Sequence, residues 1–304
     1  MINSRDINKY LDVIIVYYNY CQYQSRYNVS KDFIERYSSH PKINLYVVEL
    51  VYGNANFFLT EEDNKNHLQL RTEHPLWHKE NLINIGIEKL LPKNWQNVAW
   101  IDCNLEFENK DFVEKTLKQL ERYDFAQMFS LIKYQSSNKN DDKTESFKSL
   151  IYSISGTNYD ISSKPGGAWA CTKEGYNKIG KLFDKSLCES DCVLAQALGL
   201  KKNYYFNNKK NVKYLEYVDQ YVKKIINQNI TVSYANNIVI YYWHGNQENR
   251  SYHLFRKQML MKYDYNPDFF SYDKNGILVP NNNCAFEILD YIRKYFERRM
   301  EDKN

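Results

Sequence analysis

Apolar runs alternate with helical patterns along the first half of the chain. Val13-Ile14-Ile15-Val16-Tyr17-Tyr18 is an unbroken β-branched and aromatic run, the pattern of a strand covered on both faces, and Leu45 to Val51 repeats it. Between them Ser30 to Tyr37 has helical spacing, with Ser30 as its expected cap. Glu80 to Leu91 predicts a helix stopped by Pro92, and Val98-Ala99-Trp100-Ile101 predicts a buried strand ending in Asp102-Cys103-Asn104. A helix over 111–121 and a strand over 124–129 continue the alternation. The front half therefore reads as an open α/β sheet.

The later half is less regular. Gln135 to Ser149 is polar and predicts a loop, followed by Lys164-Pro165-Gly166-Gly167-Ala168-Trp169. Two adjacent glycines after a proline turn the backbone sharply or let a neighbour come close. Helices are expected over Thr172 to Leu182, Glu189 to Leu198, Tyr214 to Asn227 and Ser251 to Tyr263, with a strand over Ile238 to Trp243. Ala285 to Arg299 predicts an amphipathic helix. We divide the chain into a main α/β domain, 1–265, and a C-terminal extension, 266–304. Lys201 to Lys213 is basic with Tyr204, Tyr205 and Phe206 interleaved, which suits a solvated loop better than a nucleic-acid patch.

Composition narrows the ligand only slightly. The 28 tyrosines against 10 glycines supply large side chains with a polar tip, suited to half-buried positions and to packing on sugars or bases. A balance of 41 Lys+Arg to 37 Asp+Glu, spread evenly, argues against a nucleic-acid or anionic-membrane partner. The six cysteines show no CxxC or Cys/His metal spacing, so free thiols in a reducing compartment are expected. The first apolar run is too short for a signal h-region or a membrane span. A cytoplasmic protein without an anchor is the expectation.

In doubly wound sheets ligands bind beyond the carboxyl ends of strands, so Asn19, Glu49, Asp102 and Asn104 are the first candidates. Asp102-x-Asn104 places two oxygen-bearing side chains on one turn, enough to help hold a hard divalent ion and the diphosphate it neutralises. The same pair suits an Asx turn that merely caps the strand. His244, after Tyr241-Tyr242-Trp243, could complete a metal site or be a packed structural residue. Glu189-Ser190-Asp191 puts two carboxylates at a helix start, where acids are favourable whatever the function.

These segments together resemble a family. Trp77-His78-Lys79-Glu80-Asn81-Leu82-Ile83-Asn84-Ile85-Gly86, Trp100-Ile101-Asp102-Cys103-Asn104, Gly166-Gly167-Ala168-Trp169, Glu189-Ser190-Asp191 and Trp243-His244-Gly245 follow the order found in GT-A glycosyltransferases. The pattern is similar to that of the inverting galactosyltransferase branch and its family 2 relatives, and runs from about residue 11 to 265. The Asn- and Lys-rich composition fits an AT-rich genome, viral or bacterial.

The resemblance implies a GT-A, Rossmann-like open mixed sheet flanked by helices, and a transferase that moves a hexose or N-acetylhexosamine from a UDP-sugar to a glycan or other hydroxyl acceptor with inversion. It implies that Asn19, Glu49, Trp77, Lys79 and Asn84 form the nucleotide side, and that Gly166 and Gly167 admit the donor sugar. Asp102 and Asn104 stand at its DxD motif and His244 at its third metal position, for Mn²⁺ or Mg²⁺. Asp191, with Glu189 as second choice, stands where the family keeps its general base. Two departures matter: Asn104 replaces the second acid of the motif, and Asp184-Lys185-Ser186-Leu187-Cys188 replaces the usual Gly-rich approach to the acidic cluster. The alternatives are a sugar nucleotidyltransferase, for which Tyr17 to Cys21 offers no Gly-rich phosphate loop, and a non-catalytic carbohydrate-binding protein or lapsed transferase.

Overall fold

Strand β1 (Leu11–Tyr18) runs through the middle of the protein because both of its faces are apolar. Leu11, Val13 and Ile15 join one core with Phe33 and Phe112, whereas Ile14 joins the other with Leu82 and Trp169. The computed structural model describes residues 9–135, 145–156, 160–201, 212–243 and 245–302.

From β1 the chain passes through α1 (Gln24–Tyr37), β2 (Ile43–Tyr52), β3 (His67–Thr72), α2 (Lys79–Lys89), β4 (Asn97–Ile101), β5 (Leu105–Phe107), α3 (Phe112–Leu120), β6 (Phe125–Gln127) and β7 (Leu131–Tyr134). It continues through β8 (Glu145–Lys148), α4 (Leu150–Ser155), β9 (Ala168–Thr172), α5 (Lys173–Ile179), α6 (Ser190–Gly199), α7 (Val212–Asn227), β10 (Val232–Tyr234) and β11 (Ile238–Tyr241). Helices α8 (Gln247–Arg250) and α9 (Tyr252–Met261), strands β12 (Phe270–Tyr272) and β13 (Leu278–Pro280), and helix α10 (Phe286–Arg298) complete it.

Seven strands form the main sheet in the order β10-β6-β9-β4-β1-β2-β3. It is mixed: β9 runs antiparallel to both β4 and β6, and the other pairings are parallel. The open mixed sheet flanked by helices is the expected fold class. Helix α2 lies directly on it, for a Cβ added at Gly86 would stand 2.9 Å from Val48 Cγ2 and 3.1 Å from Ile14 Cγ2. A second sheet, β5-β11-β7-β8, forms beside the first. Its strand β8 lies inside the stretch expected to be loop, paired antiparallel to β7.

Two features of this architecture build the site. The β4–β9 register sets Ile101 opposite Ala168, so the turn leaving β4 meets the glycine pair that precedes β9. The C-terminal segment is also part of the same body: Phe270, Leu278, Ile288, Ile292 and Phe296 are buried in the core that holds Leu82 and Trp169. Helix α1 begins at Gln24, earlier than expected, and Ser30 is buried in its middle rather than capping it. Its first N–H groups, of Gln24 and Ser25, donate to the carboxylate of Asp302 at 2.8 Å each.

Candidate active site

The turn after β4 fixes the first candidate. Asp102 N–H donates to the Gly167 carbonyl at 2.8 Å, and Leu105 N–H donates to the Asp102 carbonyl at 3.0 Å. Lys79, the first residue of α2, places its Nζ 2.7 Å from Asp102 Oδ1 and 2.9 Å from Asp191 Oδ2. Asp191 sits in the first turn of α6, where the positive helix end favours an acid. Three segments far apart in sequence thus meet at one ammonium.

The glycines permit this approach. A Cβ at Gly166 would lie 2.5 Å from Asp191 Oδ2, so a side chain there would displace the carboxylate. Gly167 has φ +106°, a conformation that side chains rarely adopt, and its added Cβ would press on Leu105 at 3.2 Å. Asp102, Asn104, Lys79, Gly166, Gly167 and Asp191 all line one cavity of about 290 Å³, together with Trp77. Trp77 stacks on Phe296 and meets Tyr18 and Tyr252 edge-on. Its indole N–H is buried with no partner among the described residues.

Charge is tightly compensated here. Burial alone would lower the Lys79 pKa, but the Asp102 and Asp191 carboxylates outweigh it and hold the ammonium well above the usual lysine range. Burial pushes the Asp102 carboxyl up, with Lys79 pulling against it. Glu80, beside Lys79, is 3% exposed and its Oε2 has no hydrogen-bond partner among the described residues. Burial, helped by the Asp191 charge and opposed by Lys79, pushes Glu80 up to about 8, which favours its protonated form.

Other expected site residues are engaged elsewhere. Asn19 folds the turn after β1, donating to the Tyr23 carbonyl at 2.8 Å and accepting from Tyr23 N–H at 3.0 Å. Glu49 lies inside β2 rather than at its end, fully buried, and accepts from the N–H groups of Phe58, Leu59 and Thr60 and from the Thr60 hydroxyl. Asn84 clasps Leu182 through both N–H and carbonyl at 2.9 Å and accepts from the Tyr176 hydroxyl. None of these three lines the cavity. Glu189, 2% exposed, accepts from the Tyr214 hydroxyl and from Arg256 Nη1, both at 2.6 Å, and does not line it either. His244 and most of the basic 201–213 stretch lie outside the described residues.

The sequence reading missed three contributors. Arg26 lay before the expected start of its helix, Arg299 closed the expected amphipathic helix, and Tyr252 was one aromatic among many. All three line the cavity. The unusual tyrosine content was the one signal that pointed toward such a wall.

No family model and no curated protein matches the chain. Solved structures similar to it include a Drosophila β-1,4-galactosyltransferase 7 mutant in complex with manganese, UDP-Gal and xylobiose, at 10% identity and TM-score 0.39, covering 93% of this chain and 98% of that one. Another is a 4-diphosphocytidyl-2C-methyl-D-erythritol synthase from Anaerococcus prevotii, at 11% identity and TM-score 0.37, covering 97% and 100%. A third is described as a nucleotide-diphospho-sugar transferase from Desulfovibrio desulfuricans, at 10% identity and TM-score 0.34, covering 93% and 97%. Among the described residues no helix is long and apolar enough to cross a membrane.

Proposed function

We propose that this protein is a glycosyltransferase that moves a hexose or N-acetylhexosamine from a UDP-sugar to a hydroxyl of a glycan or glycoconjugate with inversion. The observation that supports this most is the meeting of Asp102, Lys79 and Asp191 in one cavity, beside a stretch of bare glycine backbone. A single displacement needs a carboxylate to take the acceptor's proton as its oxygen bonds to the anomeric carbon, while the bond to the departing UDP oxygen breaks. Asp191 is the carboxylate we assign to that proton. Lys79 is the cation we assign to the departing diphosphate, which competes with the two carboxylates for the same ammonium. Glu189 is set aside as a base because Tyr214 and Arg256 already hold its carboxylate.

The donor set suits a divalent ion held partly by substrate. No group of three or more His, Cys, Asp or Glu among the described residues could hold a metal ion alone. Mg²⁺ and Mn²⁺ sites of this kind use one or two protein oxygens plus phosphates, and Asp102 and Asn104 supply those from one turn. The Lys79 ammonium standing at Asp102 marks the place as one that accepts positive charge. When bound there, the ion would neutralise the charge that develops on the leaving diphosphate.

The test is incubation with a panel of UDP-sugars and hydroxyl acceptors, with Mn²⁺, with Mg²⁺ and with EDTA, reading UDP release. Acceptor-dependent release that EDTA abolishes is expected. Glycan binding with no donor turnover would instead make this a carbohydrate-binding protein, the reading the 28 tyrosines favour.

A further inference from the structure

A second wall of the same cavity comes from the far end of the chain. Arg26 of α1 and Arg299, just past α10, both line the cavity and both pair with Glu301, whose carboxylate is fully buried. Arg26 reaches it through Nε and, at 2.9 Å, through Nη2; Arg299 reaches it through Nε at 2.6 Å and touches the Tyr252 hydroxyl at 3.3 Å. The pair is held rigidly. Tyr23 OH lies 2.9 Å from the carbonyls of Phe296 and Glu297 and accepts from Met300 N–H at 3.0 Å, while Asp302 caps α1.

A brace between tail and helix needs one cation for one carboxylate. Here two guanidiniums converge on a single acid, and each has five N–H donors of which these contacts use only some. Among the described residues, the charged ones lining the cavity are the cations Arg26, Lys79, Lys164 and Arg299 against the acids Asp102 and Asp191. Even after Glu301 is counted, positive charge is in excess. A planar guanidinium fork matches phosphate oxygens, and two of them at a fixed spacing match a diphosphate better than a neutral sugar.

We propose that Arg26 and Arg299 form an anion-binding site completed by the C-terminal segment, and that it takes the diphosphate of the nucleotide donor. The identity of the ligand rests on the transferase reading; the anion site itself does not. Calorimetric titration of the full chain, and of Arg26→Gln, Arg299→Gln and Arg299→Lys, with UDP, uridine and inorganic pyrophosphate separates the two. Each glutamine variant should weaken UDP and pyrophosphate about ten- to a hundredfold and leave uridine unchanged, a loss of two or so charge-assisted bonds. Arg299→Lys should recover part of the loss, because it restores charge without the fork.

Melting temperatures identify any variant that fails to fold, and Arg299→Lys then carries the comparison. UDP and pyrophosphate affinities unchanged in both glutamine variants would overturn the proposal while leaving the transferase reading intact. Arginine-dependent pyrophosphate binding in a protein that releases no UDP from any donor would uphold the anion site and remove the transferase reading. A parent protein that binds neither anion overturns the site outright.

Discussion

The cavity has two kinds of wall. One is built from strand ends: the β4 turn, the glycine pair before β9 and the first turn of α6, each positioned by ladder pairing or by the helix that follows. The other is built from the chain's two ends, where Arg26 and Glu301 meet across 275 residues through side chains alone. Backbone ladders hold a position through many small contributions, whereas a buried ion pair concentrates it in one or two contacts. The two walls should therefore fail differently. Substitution in the strand-end wall should change chemistry with the fold intact, and substitution in the terminal wall should change stability or anion affinity.

The largest effect is expected from Asp191→Asn. Turnover should fall about 10²- to 10⁴-fold, the usual cost of losing a general base, while the melting temperature stays near that of the parent and UDP affinity holds or rises, because one competitor for Lys79 has gone. Lys79 keeps Asp102 as a partner, so the fold has little reason to loosen. Glu189→Gln, two residues earlier, should lower the melting temperature and leave turnover per folded molecule nearly unchanged. The reverse pattern would exchange their roles.

In the terminal wall, Glu301→Ala leaves two guanidiniums without their shared acid. Breaking a buried pair from one side costs about 3 kcal/mol, read as a lowered denaturation midpoint. UDP affinity should hold or rise, since a competing anion has gone. Stability equal to the parent would show that water already serves these arginines.

The contrast also explains what could be read from the chain. Val13 to Tyr18, Asp102-x-Asn104 and Gly166-Gly167 are local signals: a run covered on both faces, a strand-end turn, a backbone free of Cβ. Their consequences in space follow from sheet geometry. Glu49 and Asn84 show the limit of that logic, because a polar residue amid apolar ones is consistent with facing a ligand or with clasping a buried backbone, as both do here. Arg299 lay beyond reach for another reason. Basic residues at a helix C-terminus are favourable through the dipole alone, so nothing in Arg298-Arg299-Met300-Glu301 marks one of them as buried in a cavity wall.

Glu80 lies behind the strand-end wall and tests its electrostatics. Its carboxyl is pushed from about 4.5 when unfolded to about 8 when folded, so the folded state binds the extra proton. Below about pH 4.5 both states are protonated and the group costs nothing; as pH rises toward 8 stability falls. Glu80→Gln should remove that slope, so its stability relative to the parent should rise by about 3 kcal/mol between pH 5 and 8. Parallel curves for the two proteins over that range would mean that Glu80 is charged and paired.

The smallest effect belongs to Asp302, and its sign is opposite. Burial works against its ionisation, but the N–H groups of Ser25 and Gln24 outweigh this and lower its pKa. Its contribution is therefore present above the ordinary aspartate range, near pH 4, and is lost as pH falls through the lowered value. Asp302 is exposed, so solvent screens the charge and the cost of Asp302→Ala should be about 0.5–1 kcal/mol at pH 7, the scale of a helix cap. The difference from the parent should shrink as pH falls below the ordinary aspartate range, which denaturant melts at pH 7 and in acid would read. If the tail were merely resting on α1, the variant would match the parent at pH 7 as well. A cost well above 1 kcal/mol would instead mean that releasing Asp302 also loosens Glu301 and Arg299, making the terminal wall one cooperative unit rather than a set of separate contacts.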